Sequence, residues 1–203
     1  MRRSPRTTLL AGLLVLCAWT AGCSSSPGDR SVTLDGAMAR GPSGAPVTIV
    51  EFSDYECPYC KRTQGVIGQL MDEYPGKIRL VFKDFPLHFH PGARPAAEAA
   101  RCAGASGRFW EYHDLLFVAQ PAFSRTDLLM YARRLDIDQA TFAACLDAGR
   151  FRPLVQRDLE EGRALGVRGT PTFFVNGQRL VGAQPIESFR EAVDQALRDA
   201  RPR

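Results

Sequence analysis

The chain is short of several things, and each shortage narrows what it can be. It has no apolar run long enough to cross a bilayer: the longest, residues 7–20, falls short of the roughly 20 residues that a spanning helix needs. It has no useful excess of charge. The formal +4 comes from 26 basic and 22 acidic residues, and setting aside Arg2, Arg3 and Arg6 leaves 23 against 22. Such a balance implies neither a nucleic acid nor an acidic partner. It has three histidines, His88, His90 and His113, and one C-x-x-C with no second copy. A structural zinc site wants four ligands, and Cys102 and Cys145 are not spaced as the missing half. No internal repeat is present.

What the chain does have begins at its N-terminus. Arg2, Arg3 and Arg6 lead into the apolar residues 7–20, which reads as an export signal. The segment ends in Thr20-Ala21-Gly22-Cys23, with no clean A-x-A cleavage site. Small residues before a cysteine resemble the lipobox of bacterial lipoproteins, with Thr20 where Leu is usual. That resemblance implies a signal peptide over residues 1–22, a lipid on Cys23 and a membrane anchor through its acyl chains. A plain secretory signal is the alternative. Residues 24–31 are rich in Ser, Gly and Pro, so 23–35 is expected to be a flexible tether and 36–203 the folded domain.

Six cysteines can then be sorted. Cys17 leaves with the signal and Cys23 takes the lipid. Cys57 and Cys60 form the C-x-x-C. Cys102 and Cys145 remain as an even pair in an oxidising compartment and are expected to form a structural disulfide, contributing roughly 4 kcal/mol through loop closure. Two buried free thiols are the plainer alternative.

Residues 47–52 are a β-branched apolar run after Pro46, and residues 78–82 are another, so both are expected strands. Between them lies a helix from Pro58, whose missing N–H suits the first helical position, to the Pro75-Gly76 stop. Strand, helix, strand implies a right-handed parallel unit. Residues 91–166 read as five helical segments, an inserted all-helical subdomain: 93–105, 109–118, 127–135 capped by Thr126, one capped by Asp138, and 153–165. A hairpin follows, 172–175 and 178–181 about Asn176-Gly177, then a last amphipathic helix carrying Ile186, Phe189, Val193 and Leu197.

Cys57 opens the first helix, where unpaired N–H groups and the helix dipole favour a thiolate. Its pKa is expected within roughly 3.5–7.5. Cys60, one turn in, is expected to be buried and to resolve mixed disulfides formed at Cys57. The run from Glu51 through Cys57-Pro58-Tyr59-Cys60 resembles the active-site strand and helix of the DsbA-like thioredoxin-fold disulfide oxidoreductases. So do Phe109-Trp110-Glu111-Tyr112-His113 and Gly169-Thr170-Pro171-Thr172-Phe173-Phe174, and the order of motifs is kept. The resemblance implies an α/β thioredoxin fold interrupted by the helical subdomain. It implies a nucleophile in Cys57, a resolving thiol in Cys60, a cis-proline in Pro171 and a substrate-pairing backbone at Thr170. It also implies a buried proton-carrying acid in Glu51; separately, Lys83 on the next strand is taken as a candidate to face it. Pro58 and Tyr59 would border the substrate.

Tyr59 stands where DsbA-type oxidases often have His, and Thr170 is shared with isomerases and reductases of the fold. The direction of electron flow therefore stays open. The expected partners are reduced or misoxidised exported proteins, and a membrane redox partner, either a quinone-linked oxidase or an electron donor. No cofactor, metal or nucleic acid is called for, and a monomer is expected. A lipoprotein metal-binding module is the alternative from another class. The histidines are expected to be surface or packing groups.

Overall fold

The computed structural model describes Met1 and residues 32–200. The rest of the export signal, the proposed lipid site at Cys23 and the tether as far as Ser31 lie outside the described residues. A five-stranded sheet of order β1-β3-β2-β4-β5 is built from β1 (Met38–Arg40), β2 (Val47–Ser53), β3 (Ile78–Asp84), β4 (Thr172–Val175) and β5 (Gln178–Val181). Only β2 and β3 are parallel. They are joined by α1 (Pro58–Glu73), the crossover that parallel neighbours require.

Between β3 and β4 the chain makes five consecutive helices: α2 (Ala93–Ala105), α3 (Phe109–Ala119), α4 (Arg125–Arg134), α5 (Gln139–Asp147) and α6 (Arg152–Ala164). The core they share with Tyr55, Cys57, Cys60 and Phe82 is alanine-rich along α2 and aromatic along α3. Cys102 of α2 and Cys145 of α5 are joined by a disulfide across 43 residues of chain. The last helix, α7 (Ile186–Asp199), packs beside α1 on the sheet.

Strand alternation divides the core. Ile49, Ile78, Leu80 and Phe173 face α1 and α7, with Ile67, Leu70 and Phe189 against them. Val50, Phe52, Val81 and Phe174 face the other way, toward Leu159 of α6. Glu51 and Ser53 therefore share the α1 side of β2, while Lys83 points to the α6 side of β3. The expected Glu51–Lys83 pairing is overturned by this parity, since Glu51 stands opposite Phe82 in the parallel register. Lys83 instead bonds Asp158 at 3.1 Å and Glu161 at 2.9 Å, both on α6.

Two smaller corrections follow. Helix α4 is capped by Ser124, not Thr126: Ser124 and Asp127 bond each other's backbone N–H in a capping box. Strand β1 has no counterpart in the sequence reading, because three residues, Met-Ala-Arg, carry no alternation. It is held instead by β3 and by the Trp110 indole, which donates to the Ala39 carbonyl at 3.1 Å. The hairpin turn has Asn176 and Gly177 both at positive φ, 44° and 91°, as a type I′ turn needs.

Candidate active site

Cys57 sits at the N-cap of α1 in extended conformation, φ −74° and ψ 121°, with Pro58 in the first turn and no acidic side chain there. The helix N–H groups are thus open to a thiolate and nothing negative competes for them. Cys57 and Cys60 are both free thiols and both buried. The Cys57 thiol is pulled down to about 5. The Cys60 thiol is the largest cause; burial opposes it, and Thr170 and the Cys60 and Tyr59 N–H groups add to it. Burial and the neighbouring Cys57 push Cys60 well above the usual thiol range. One sulfur is thereby made a leaving group and the other a proton holder.

The loop before β4 closes over this pair. The Thr170–Pro171 peptide is cis, and the Thr170 carbonyl accepts from Cys57 Sγ at 3.4 Å. Beside the sulfur lies an apolar cleft of about 370 Å³, bordered by Pro58, Tyr59, Leu87, Phe89, Arg168 and Thr170. Tyr59 and Phe89 are 53% and 62% exposed, unusual for aromatic rings and useful to a docking chain. The wall carrying Leu87 and Phe89 is pinned by Asp54, whose carboxylate accepts from Leu87 N at 2.7 Å and faces His90 Nδ1 at 2.9 Å. Glu56 pins the far end through Gly92 N at 2.6 Å.

Behind the thiols, Glu51 is fully buried between Phe82 and Phe173 of the flanking strands. Burial pushes its carboxyl to about 7, against lowering by Ser53, Gln64 and the Arg40 charge. Gln64 Nε2 donates to Glu51 Oε1 at 2.9 Å, and Gln64 Oε1 meets His113 Nε2 at 3.2 Å. His113 Nδ1 meets the Tyr55 hydroxyl at 3.0 Å. Burial, then the Arg40 charge, holds His113 well below the usual imidazole range, so the ring is neutral with one N–H. An ionised Glu51 only accepts, which assigns every donor in turn: Tyr55 O–H to Nδ1, Nε2–H to Gln64, Gln64 N–H to Glu51.

All the residues singled out around the motif, Glu51, Cys57, Pro58, Tyr59, Cys60, Thr170 and Pro171, fall in one place. Cys102 and Cys145 lie apart from it in the helical subdomain. Ser53, Asp54, Gln64 and Phe89 were not singled out, and His113 was read as packing. Several of their partners are far away in the chain, 13 residues for Gln64–Glu51, 36 for Asp54–His90 and 58 for Tyr55–His113, and no local pattern marks such pairs. Among the described residues no group of three His, Cys, Asp or Glu is placed to hold a metal ion.

Known proteins agree with this geometry. Residues 33–195 match the thioredoxin family. The solved structure of oxidised BdbD from Bacillus subtilis superposes with a TM-score of 0.75 at 27% identity, over 82% of this chain and 95% of that one. A thioredoxin-like oxidoreductase from Silicibacter pomeroyi gives 0.73 at 30% identity, over 80% and 92%. A curated relative, a Na⁺/H⁺ antiporter NhaA of Salinispora tropica, is 44% identical over 165 residues, which is 81% of this chain but 25% of the antiporter. The chain thus spans about a quarter of the curated relatives it matches, and no helix among its described residues is long and apolar enough to cross a membrane. With an acidic thiol capping α1, a buried second thiol and a cis-proline loop beside them, the chain belongs to the thioredoxin family as a DsbA-like thiol–disulfide oxidoreductase.

Proposed function

We propose that the chain works outside the cytosol as a disulfide donor to exported proteins, held at a membrane by a lipid on Cys23. A substrate thiolate docks beside Tyr59 and Phe89, its backbone against Thr170 and Pro171, and attacks Cys57 Sγ. The Cys57–Cys60 bond breaks, its electron pair goes to Cys60, and Cys60 is protonated from Glu51. A second substrate thiolate then attacks the substrate sulfur of the mixed disulfide. Cys57 leaves as a thiolate, and a disulfide stays with the substrate. A membrane partner reoxidises the pair. Cys102–Cys145 has no part in this exchange and braces the helical subdomain.

The observation that carries the direction is the Cys57 thiol at about 5. A stabilised thiolate stabilises the reduced protein, and that makes its disulfide an oxidant. Membrane placement draws support from the antiporter relatives, since an antiporter works across a membrane and carries a region similar to this chain. The test is the reduction potential of the Cys57/Cys60 pair in a glutathione titration. A value near about −120 mV fits a donor, and one near about −270 mV would make it a reductase. Cys57→Ala abolishes transfer to a reduced model protein in either case. Cys23→Ala releases the protein from the membrane fraction.

A further inference from the structure

The mechanism leaves one hydroxyl without employment. Ser53 is buried at 2% exposure, and its Oγ has no well-aligned hydrogen bond to any protein group. Glu51 Oε2 is also buried and also unpartnered. Both belong to β2 two residues apart, so both side chains project toward α1. There the Ser53 hydroxyl lies within reach of the Glu51 carboxyl on one side and of the Cys60 thiol on the other. A buried hydroxyl within reach of a carboxyl and a thiol, yet well aligned with neither, calls for an account.

We infer that Ser53 is the proton carrier between Cys60 and Glu51. The inference rests on the roles proposed above for those two residues. In the resolving step Cys60 attacks Cys57 Sγ of a mixed disulfide. As its sulfur forms that bond, the Cys60 proton passes to Ser53 Oγ and the Ser53 proton passes to Glu51 Oε2. The partner thiolate leaves with the electron pair of the broken bond. Ser53 is unchanged, and Glu51 ends protonated. The reverse transfer protonates Cys60 when a substrate thiolate opens the Cys57–Cys60 disulfide.

The other groups around Glu51 suit this division of labour. Oε1 is held by Gln64 of α1, which His113 of α3 and Tyr55 hold in turn. Arg40 of β1 supplies the facing positive charge, and Cys57 lies beyond Cys60. Lys83 of β3 is turned away toward Asp158. The carboxyl therefore has one oxygen tied to Gln64 and one without a well-aligned hydrogen bond, with Ser53 within reach of it. Gln64 also borders a cleft of about 420 Å³ with Arg40, Lys61 and Asp114, which brings the tied side close to solvent.

An aromatic disulfide with an absorbing thiol separates the two steps on the reduced, full-length protein. Attack by Cys57 releases the first thiol, and attack by Cys60 releases the second. With wild type the second phase should rise with pH through about 7, as Glu51 becomes able to accept. Ser53→Ala should leave the first phase unchanged, slow the second about a hundredfold, the low end for positioned proton transfer, and erase that rise. Ser53→Thr, which keeps the hydroxyl and suits a strand, should restore both. The inference is overturned if Ser53→Ala resolves within twofold of wild type with the rise intact. Glu51→Gln separates the two levels of failure. If it is slow while Ser53→Ala is fast, Glu51 is reached without Ser53; if both are fast, the role of Glu51 itself is wrong.

Discussion

Two groups of charged and polar side chains are sealed into this fold, one at the C-terminal end of β3 against α2 and α6 and one on the α1 side of β2, and they are wired differently. At the end of β3, Lys83, Asp84, Arg101, Asp158 and Glu161 join that strand to α2 and α6. Lys83 bonds Asp158 and Glu161; Arg101 bonds Asp84 at 2.5 Å, Asp158, and the Gly36 carbonyl at 3.1 Å. Every charge there has an opposite charge in contact, although burial still pushes the Asp84 carboxyl up to about 6 and leaves its Oδ1 without a hydrogen bond. On the α1 side, Glu51 has no ion pair: Gln64 holds one oxygen, the other has no well-aligned hydrogen bond, and the Ser53 hydroxyl lies within reach of the carboxyl. The first group is a clamp between sheet and helical subdomain. The second is a carboxyl whose ionisation is so poorly supported that it changes state near neutral pH. The clamp's carboxylates touch cations and Glu51 touches none, so the two groups differ in pairing while sharing burial.

The largest effect that would test this contrast is in the clamp. Arg101→Met should destabilise the fold by about 3–5 kcal/mol in urea, because Asp84 and Asp158 would share the single cation of Lys83. The rate per folded molecule should hardly change. If activity falls while stability holds, the clamp is misassigned.

Next comes Glu51. Its folded pKa is raised from 4.5 to about 7, so the protonated form is favoured by folding. The stability that this supplies is complete below about pH 4.5 and is lost as pH rises through about 7. The loss approaches about 3 kcal/mol at 1.36 kcal/mol per unit. Glu51→Gln carries no ionisation, so it should match wild type in acid and exceed it by up to about 3 kcal/mol above pH 8, while resolving mixed disulfides slowly. Equal pH dependence in urea melts of the two proteins would refute the contrast.

Gln64→Leu should have the smallest effect. A hydrogen bond to a charged group is worth about 1.5 kcal/mol, so its loss should move the midpoint of the resolving step upward by about one pH unit. An unmoved midpoint would detach Gln64, and with it His113 and Tyr55, from the site.

Much of this was legible along the chain. Pro58 after a β-branched strand marks the start of α1, and that alone puts Cys57 at a helix N-terminus. Asn176-Gly177 announces the hairpin. Cys102 and Cys145 emerge as a pair once the other cysteines have uses. The failures share a cause. Lys83 was matched to Glu51 on strand adjacency, but a one-residue difference in parity turns it to the other face of the sheet. Ser53 and Gln64 gain their meaning from neighbours that only folding supplies.

The sequence by itself determined where the reactive sulfur sits, because helix starts, turns and strand alternation are short-range properties. Tertiary structure decided which acids touch a cation and which stands without one. Charge pairing depends on which helix covers which face of the sheet: Asp158 reaches Lys83 across 75 residues, and no residue of that span records the contact.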